Sequence, residues 1–321
     1  MKLQRLALAA AGVGMLTATA LSGPAVATGQ ADPTPSWLAK SALSKRLSAK
    51  ATSAAAEPCV ESVGWTTATP TAEGVDITPG KPPKASPPYD SFNFVATRAS
   101  ATWYFAANAS LTQFYFYGLF LQGGNLYRHT TYVPETGLPK PTFKKVGSGW
   151  TSFKSIATSN YSVAQPRHAY LYGLNTDGNL YRYAQIGGGF KSLGKFGGFR
   201  GFKAMTVISE SATYDTLLMT TNAGALYTIR IPITATAKPV VKLIRSTGWS
   251  AYESLVVQGC GTRGGSLVLG VDHDTDSGYQ YAFSKANGTA TAITSYGKVP
   301  VVFNGVNHMS LTTHYDQLVG E

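Results

Sequence analysis

From residue 114 onward the chain alternates short apolar or aromatic runs with glycine-centred turns, and the pattern recurs. The runs are FYFYGL from Phe114, YLYGL from Tyr170, TLLMT from Thr216 and SLVLGV from Ser266. Each leads into a turn and a second short run: Gly124-Asn125-Leu126-Tyr127-Arg128, Gly178-Asn179-Leu180-Tyr181-Arg182 and Gly224-Ala225-Leu226-Tyr227-Thr228. A fourth copy, Gly278-Tyr279-Gln280-Tyr281-Ala282, keeps the glycine and the second tyrosine, so the glycines lie 54, 46 and 54 residues apart. Further on, a second signature repeats as Gly149-Trp150-x-x-Phe153-Lys154, Gly198-Phe199-x-x-Phe202-Lys203 and Gly248-Trp249-x-x-Tyr252-Glu253, with a weaker copy around Phe303 and Val306.

Each unit therefore reads as strand, glycine turn, strand, loop, strand, turn, strand. Glycine accepts the positive φ that tight hairpin turns demand. The first strand of each unit is nearly all apolar, as expected of a strand buried on both faces. The second alternates, with Tyr181 and Tyr183 on one face and Leu180 and Arg182 on the other. No helical period stands out in residues 85–320. Four short strands in each ~45–55-residue repeat is the arithmetic of a β-propeller blade.

A divergent fifth copy is expected before these, with Gly74 50 residues ahead of Gly124 and its last strand in Tyr89–Phe94. Tyr315-Asp316-Gln317-Leu318-Val319 echoes Tyr214-Asp215-Thr216-Leu217-Leu218 and is expected to close the ring, which would leave no exposed edge. The fold class is all-β, a β-propeller of five four-stranded blades. A pair of β-sandwiches would leave the regular spacing unexplained.

Gly149-Trp150-x-x-Phe153-Lys154 leading to Asp177-Gly178-Asn179-Leu180-Tyr181 resembles the repeat of tachylectin-type lectins. The resemblance covers residues 114–317 through a few positions per repeat, and it implies a five-bladed propeller that binds amino sugars. The chain also resembles repeat arrays beside secreted bacterial enzymes, whose blades carry Asp-rich calcium loops. Repeats one to three lack those loops.

The beginning of the chain reads as an address. Lys2 and Arg5 precede an apolar stretch from Leu6 to Leu21, and Ala25-Val26-Ala27 fits a signal-peptidase site. Residues 1–27 are thus expected to be a signal peptide, 28–57 a linker or prosegment, and 58–321 the propeller. Trp37 to Lys50 could form a short cationic amphipathic helix, marginal at that length. No later run is long and apolar enough to span a membrane. Only 13% of residues are charged, and the net charge is +11. Without Lys2 and Arg5, 25 cations face 16 anions, a surplus of nine. In a secreted protein that surplus points to anionic glycans, cell-wall polymer or membrane headgroups rather than nucleic acid, or simply to solubility. The two cysteines, Cys59 and Cys260, are expected to form one disulfide. Without a CxxC or Cys/His cluster, a catalytic cysteine or Cys-rich metal site is excluded.

Several residues could carry chemistry. Asp215 and Asp316 begin equivalent strands and could serve as glycosidase carboxylates, or simply punctuate turns. Asp272, Asp274 and Asp276 alternate on one loop as calcium ligands do, or form a solvated acidic hairpin. Trp150, Phe199 and Trp249 sit at turns and are expected to be partly exposed for stacking on sugars, whereas most other aromatics should be core. Repeated clefts between blades would make binding multivalent. Propeller strand order would put Lys140, Arg167, His168, Lys238, Arg263 and Lys285 on one basic face, with the glycine turns and the acidic loop opposite. The sequence therefore reads as a secreted, non-enzymatic, lectin-like propeller for glycans or anionic cell-wall polymer, with no cofactor unless calcium. The alternatives are a secreted glycoside hydrolase and a protein-binding structural propeller.

Overall fold

A computed structural model describes residues 59–88, 91–108, 110, 112–187, 189–234, 238–260, 264–313 and 317–321. The expected signal peptide and residues 28–57 lie outside them, as do Arg263, Tyr315 and Asp316. Among the described residues the regular structure is all strand. The N-terminal strands are β1 (Glu61–Thr67), β2 (Thr71–Thr78), β3 (Lys84–Ala85) and β4 (Phe92–Asn93). Next come β5 (Ala99–Ser100), β6 (Trp103–Ala107), β7 (Phe114–Gln122), β8 (Asn125–Val133) and β9 (Lys140–Ser148). Three antiparallel four-stranded sheets follow. The first is β10 (Phe153–Tyr161), β11 (His168–Asn175), β12 (Leu180–Ile186) and β13 (Gly189–Phe196). The second is β14 (Phe202–Glu210), β15 (Tyr214–Thr221), β16 (Leu226–Pro232) and β17 (Val240–Arg245). The third is β18 (Ser254–Gly259), β19 (Ser266–Asp272), β20 (Ser277–Phe283) and β21 (Ile293–Val302). The last strand, β22 (Gly305–Thr313), returns to pair antiparallel with β1.

β22, β1, β2 and β3 form one unit, and β5/β6, β7, β8 and β9 form another. The two share a ten-stranded sheet because β22 and β6 pair in parallel over three residues. The innermost strands touch in succession, β5 to β10, β10 to β14, β14 to β18, β18 to β22 and β22 to β6. They enclose a central channel, which is a propeller arrangement. Apolar clusters fill the gaps between consecutive sheets; Val63, Trp65, Ile77 and Phe303, for example, bridge the N-terminal unit and the third sheet.

The strands after the glycine turns fall where the repeat places them, as β8, β12 and β16; in the fourth copy the strand is β20, but Gly278 lies inside it, paired with Val271, and the turn is at residues 273–276. The N-terminal copy differs. Gly74 lies inside β2, and the turn is at residues 68–70. Ring closure differs too. It is made by β22, while Val319 forms only an isolated bridge to Ser209.

Each second signature leads into the first strand of one sheet and is tied to the glycine turn of the sheet before it. Trp150 N donates to Gly124 O (3.0 Å), Phe199 N to Gly178 O (2.9 Å) and Trp249 N to Gly224 O (3.0 Å). Gly178 and Gly224 both have φ +86°, and an added Cβ would lie 2.9 Å from Arg200 Cβ or Ser250 N. The Cys59–Cys260 disulfide is present, with Cα atoms 5.3 Å apart, and fixes the N-terminal entry to the end of β18.

Candidate functional site

Antiparallel pairing sends the β10–β11 and β12–β13 loops to one face of the ring and the glycine and Gly-Trp turns to the other. A cleft opens beside the inner strands, between the unit β5–β9 and the sheet β10–β13. It holds about 80 Å³ and is lined by Tyr104 and Tyr117 on one side and Tyr170 on the other, with Arg128, Asn160 and Gln185 among its polar groups. β6 and β7 align Tyr104 opposite Tyr117, and their rings stack at 5.5 Å and 27°. Tyr170, on β11, stacks on His168 at 4.7 Å and is backed by the Arg182 guanidinium at 5.3 Å from the ring centre. Burial raises the Tyr104 phenol well above its ordinary value, and the Glu210 carboxyl adds to this. Burial raises Tyr170 as well. Both hydroxyls therefore stay protonated over the physiological range and remain donors. Half-exposed aromatic faces beside amide and guanidinium groups are what a pyranose uses: C–H surface on the ring, hydroxyls on the polar atoms.

Between β10–β13 and β14–β17 the corresponding space is filled. Asp215, fully buried, accepts from Ser159 Oγ (2.6 Å), Tyr172 OH (2.7 Å) and His168 Nε2 (2.9 Å). Glu210 is buried nearby, and burial, reinforced by the Asp215 charge, pushes it up to about 8. Arg182 is also fully buried. It donates to Pro232 O (2.6 Å) and stacks against Phe196. The repeated-cleft expectation is thus not met at this junction.

The other expected site residues fall as follows. Trp150, Phe199 and Trp249 are not partly exposed; they are 0%, 3% and 5% exposed. Each ring turns into the apolar cluster between sheets, as Trp150 does against Phe153 and Tyr183. Asp215 is sealed inside, and Asp316 lies outside the described residues, so this pair does not define a channel site. Asp272 Oδ1 caps its own loop by accepting from Asp274 N (2.9 Å) and Thr275 N (3.2 Å). No group of three acidic, His or Cys side chains suited to a metal gathers among the described residues, so Asp272, Asp274 and Asp276 do not converge. Lys140, Arg167, Lys238 and Lys285 are exposed.

The opposite face is not simply acidic. Its channel mouth is lined by Arg98, Lys154 and Lys203 together with Glu253, Asn307 and His308. Lys154 and Lys203 were visible in the repeated Phe-Lys pair. The ring they form was not, because its other members, Arg98 and Asn307, follow no such signature.

No family model matches the chain, and no curated protein matches it. Among solved structures it is similar to the six-bladed β-propeller lectin of Aleuria aurantia, at 13% identity and TM-score 0.42, covering 76% of this chain and 79% of that one. It is also similar to the SapL1 lectin in complex with alpha methyl fucoside, at 9% and 0.39 over 74% and 80%. A third is the catalytic domain of the Coprinopsis cinerea GH62 alpha-L-arabinofuranosidase, at 14% and 0.42 over 62% and 68%.

Proposed function

We propose that the protein is a secreted, non-enzymatic, lectin-like propeller of five four-stranded blades that binds extracellular glycan in the Tyr104–Tyr117–Tyr170 cleft. The observation that carries this reading is the stacked Tyr104–Tyr117 pair facing Tyr170 across a gap bordered by Arg128, Asn160 and Gln185. Five blades are supported by the succession of inner-strand contacts and by the apolar clusters between consecutive sheets. Secretion is supported by the disulfide and by the signal-like N-terminal sequence. A binding role is favoured over hydrolysis because Asp215 is fully hydrogen-bonded within the core.

The test is a glycan array probed with the chain from residue 28, beside Tyr117→Ala and Gln185→Ala. Loss of one stacking face should weaken the preferred glycan about tenfold. An array without binders, or Tyr117→Ala binding as well as the unaltered chain, overturns the reading. A salt series on cell-wall polymer with Lys140→Ala and Arg167→Ala tests whether the exposed basic residues add an electrostatic contribution, which screening would remove.

A further inference from the structure

At the start of each innermost strand one polar side chain points into the channel mouth: Asn307, Arg98, Lys154, Lys203 and Glu253. Four of them reach forward to the next blade. Asn307 Nδ2 donates to Thr97 O at 3.1 Å. Arg98 donates to Phe153 O, and to Trp150 O at 2.8 Å. Lys154 Nζ donates to Phe202 O, and Lys203 Nζ to Ser250 O. The ring stops at Glu253, which pairs with Lys203 at 2.7 Å.

Carbonyl oxygens satisfy donors but do not neutralise charge. Glu253 offsets Lys203. Arg98 and Lys154 have no carboxylate within ion-pair distance among the described residues. Burial pulls both below their ordinary values, so each charge is held at a cost. Arg98 already directs four of its five N–H groups to the Gly123, Trp150 and Phe153 carbonyls, and contributes chiefly charge. Lys154 uses one of three N–H donors on Phe202, so two can serve a ligand. The cavity in front holds about 100 Å³, and His308 and His273 are its only ring-bearing walls. Burial depresses both histidines, so they stay neutral near pH 7 and add no charge to the mouth.

We propose that the channel mouth binds a single oxyanion, a carboxylate or phosphate group carried by an acidic glycan, with Lys154 as the donor and Arg98 as the fixed charge. The mouth adjoins the aromatic cleft, with Thr102 lining both, but its charged groups Arg98 and Lys154 are not part of the cleft: neutral sugars would enter the cleft, and the oxyanion the mouth.

The experiment is calorimetric titration of the chain from residue 28 with inorganic phosphate, glucuronate and glucose, at about 0.02 M and again at about 0.5 M salt, the latter with a screening length of about 4 Å. Phosphate, glucuronate or both should bind at low salt and weaken at high salt, whichever binds naming the group; glucose should give no heat at this site. Lys154→Gln should weaken the oxyanion about tenfold, and Lys154→Arg should retain it. Tyr117→Ala should leave oxyanion binding unchanged. If Lys154→Gln does not fold, phosphorus-31 line broadening of phosphate by the unaltered protein, and its reversal by glucuronate, gives the same answer. Neither anion binding the unaltered protein, or Lys154→Gln binding as tightly as it does, overturns the proposal.

Discussion

Two carboxyls and two imidazoles buried in this fold predict an unusual dependence of stability on pH. Glu61 and Glu210 are pushed from 4.5 up to about 8 by burial. In the unfolded chain both lose their protons near 4.5. Between pH 4.5 and 8 the folded state therefore holds more protons, and stability falls as pH rises, by about 1.4 kcal/mol per unit for each group. His129 and His308 are pushed from 6.5 down to about 3, again by burial. Between pH 3 and 6.5 the unfolded state holds more protons, so these two make stability rise with pH. The pairs oppose each other between 4.5 and 6.5, which leaves a plateau. Above 6.5 only the carboxyls act, and stability should fall by about 3 kcal/mol per unit, roughly 4 kcal/mol by pH 8. Below 4.5 the histidines act alone, and stability should fall again. Urea unfolding followed by tryptophan fluorescence at about pH 5.5 and 8 reads the alkaline limb directly. Glu61→Gln with Glu210→Gln should flatten that limb, because a neutral amide already replaces the protonated acid. Stability that rises from pH 6.5 to 8, or a double variant that keeps the full slope, would refute the reasoning.

Three further outcomes can be measured. Reducing the Cys59–Cys260 disulfide opens a cross-link spanning 201 residues and should cost up to about 5 kcal/mol in the chain-entropy model, read as a lowered urea midpoint. Trp150→Ala should cost about 3–5 kcal/mol by opening a cavity at a fully buried ring, so a variant with wild-type stability would contradict the packing described. Gly224→Ala should destabilise by more than about 1 kcal/mol in thermal unfolding, since φ is +86° and Ser250 N would lie 2.9 Å from the new methyl.

The visible repeat was legible because glycine turns and alternating strands are local signals. Leu126, Leu180 and Leu226 all enter the core after their turns. The N-terminal copy misled because Gly74 imitates a turn glycine, whereas it pairs with Gly64 in mid-strand. The closing strand misled because the likeness of Tyr315-Asp316 to Tyr214-Asp215 is two residues long. The true closure, β22, follows the weak signature at Phe303 and is made by pairing with a strand more than 240 residues earlier, which no local pattern reveals. Arg182 sits on the face its alternation predicts, but that face meets the next sheet rather than water. Trp150 and Trp249 are buried where the turn signature predicts partial exposure, because a turn has no strand period from which to read the direction of a ring. The cleft was hidden for a related reason. Tyr104 lies in the segment ahead of the first clear repeat, and its partners Tyr117 and Tyr170 come from different units.

The most direct measurement is a crystal structure of the chain from residue 28 soaked with the best neutral pyranoside from the array. Sugar density should lie between Tyr117 and Tyr170, with the ring against an aromatic face and hydroxyls within hydrogen-bond reach of Asn160, Gln185 or Arg128. Density at any other place, with that cleft empty at saturating sugar, would contradict the account.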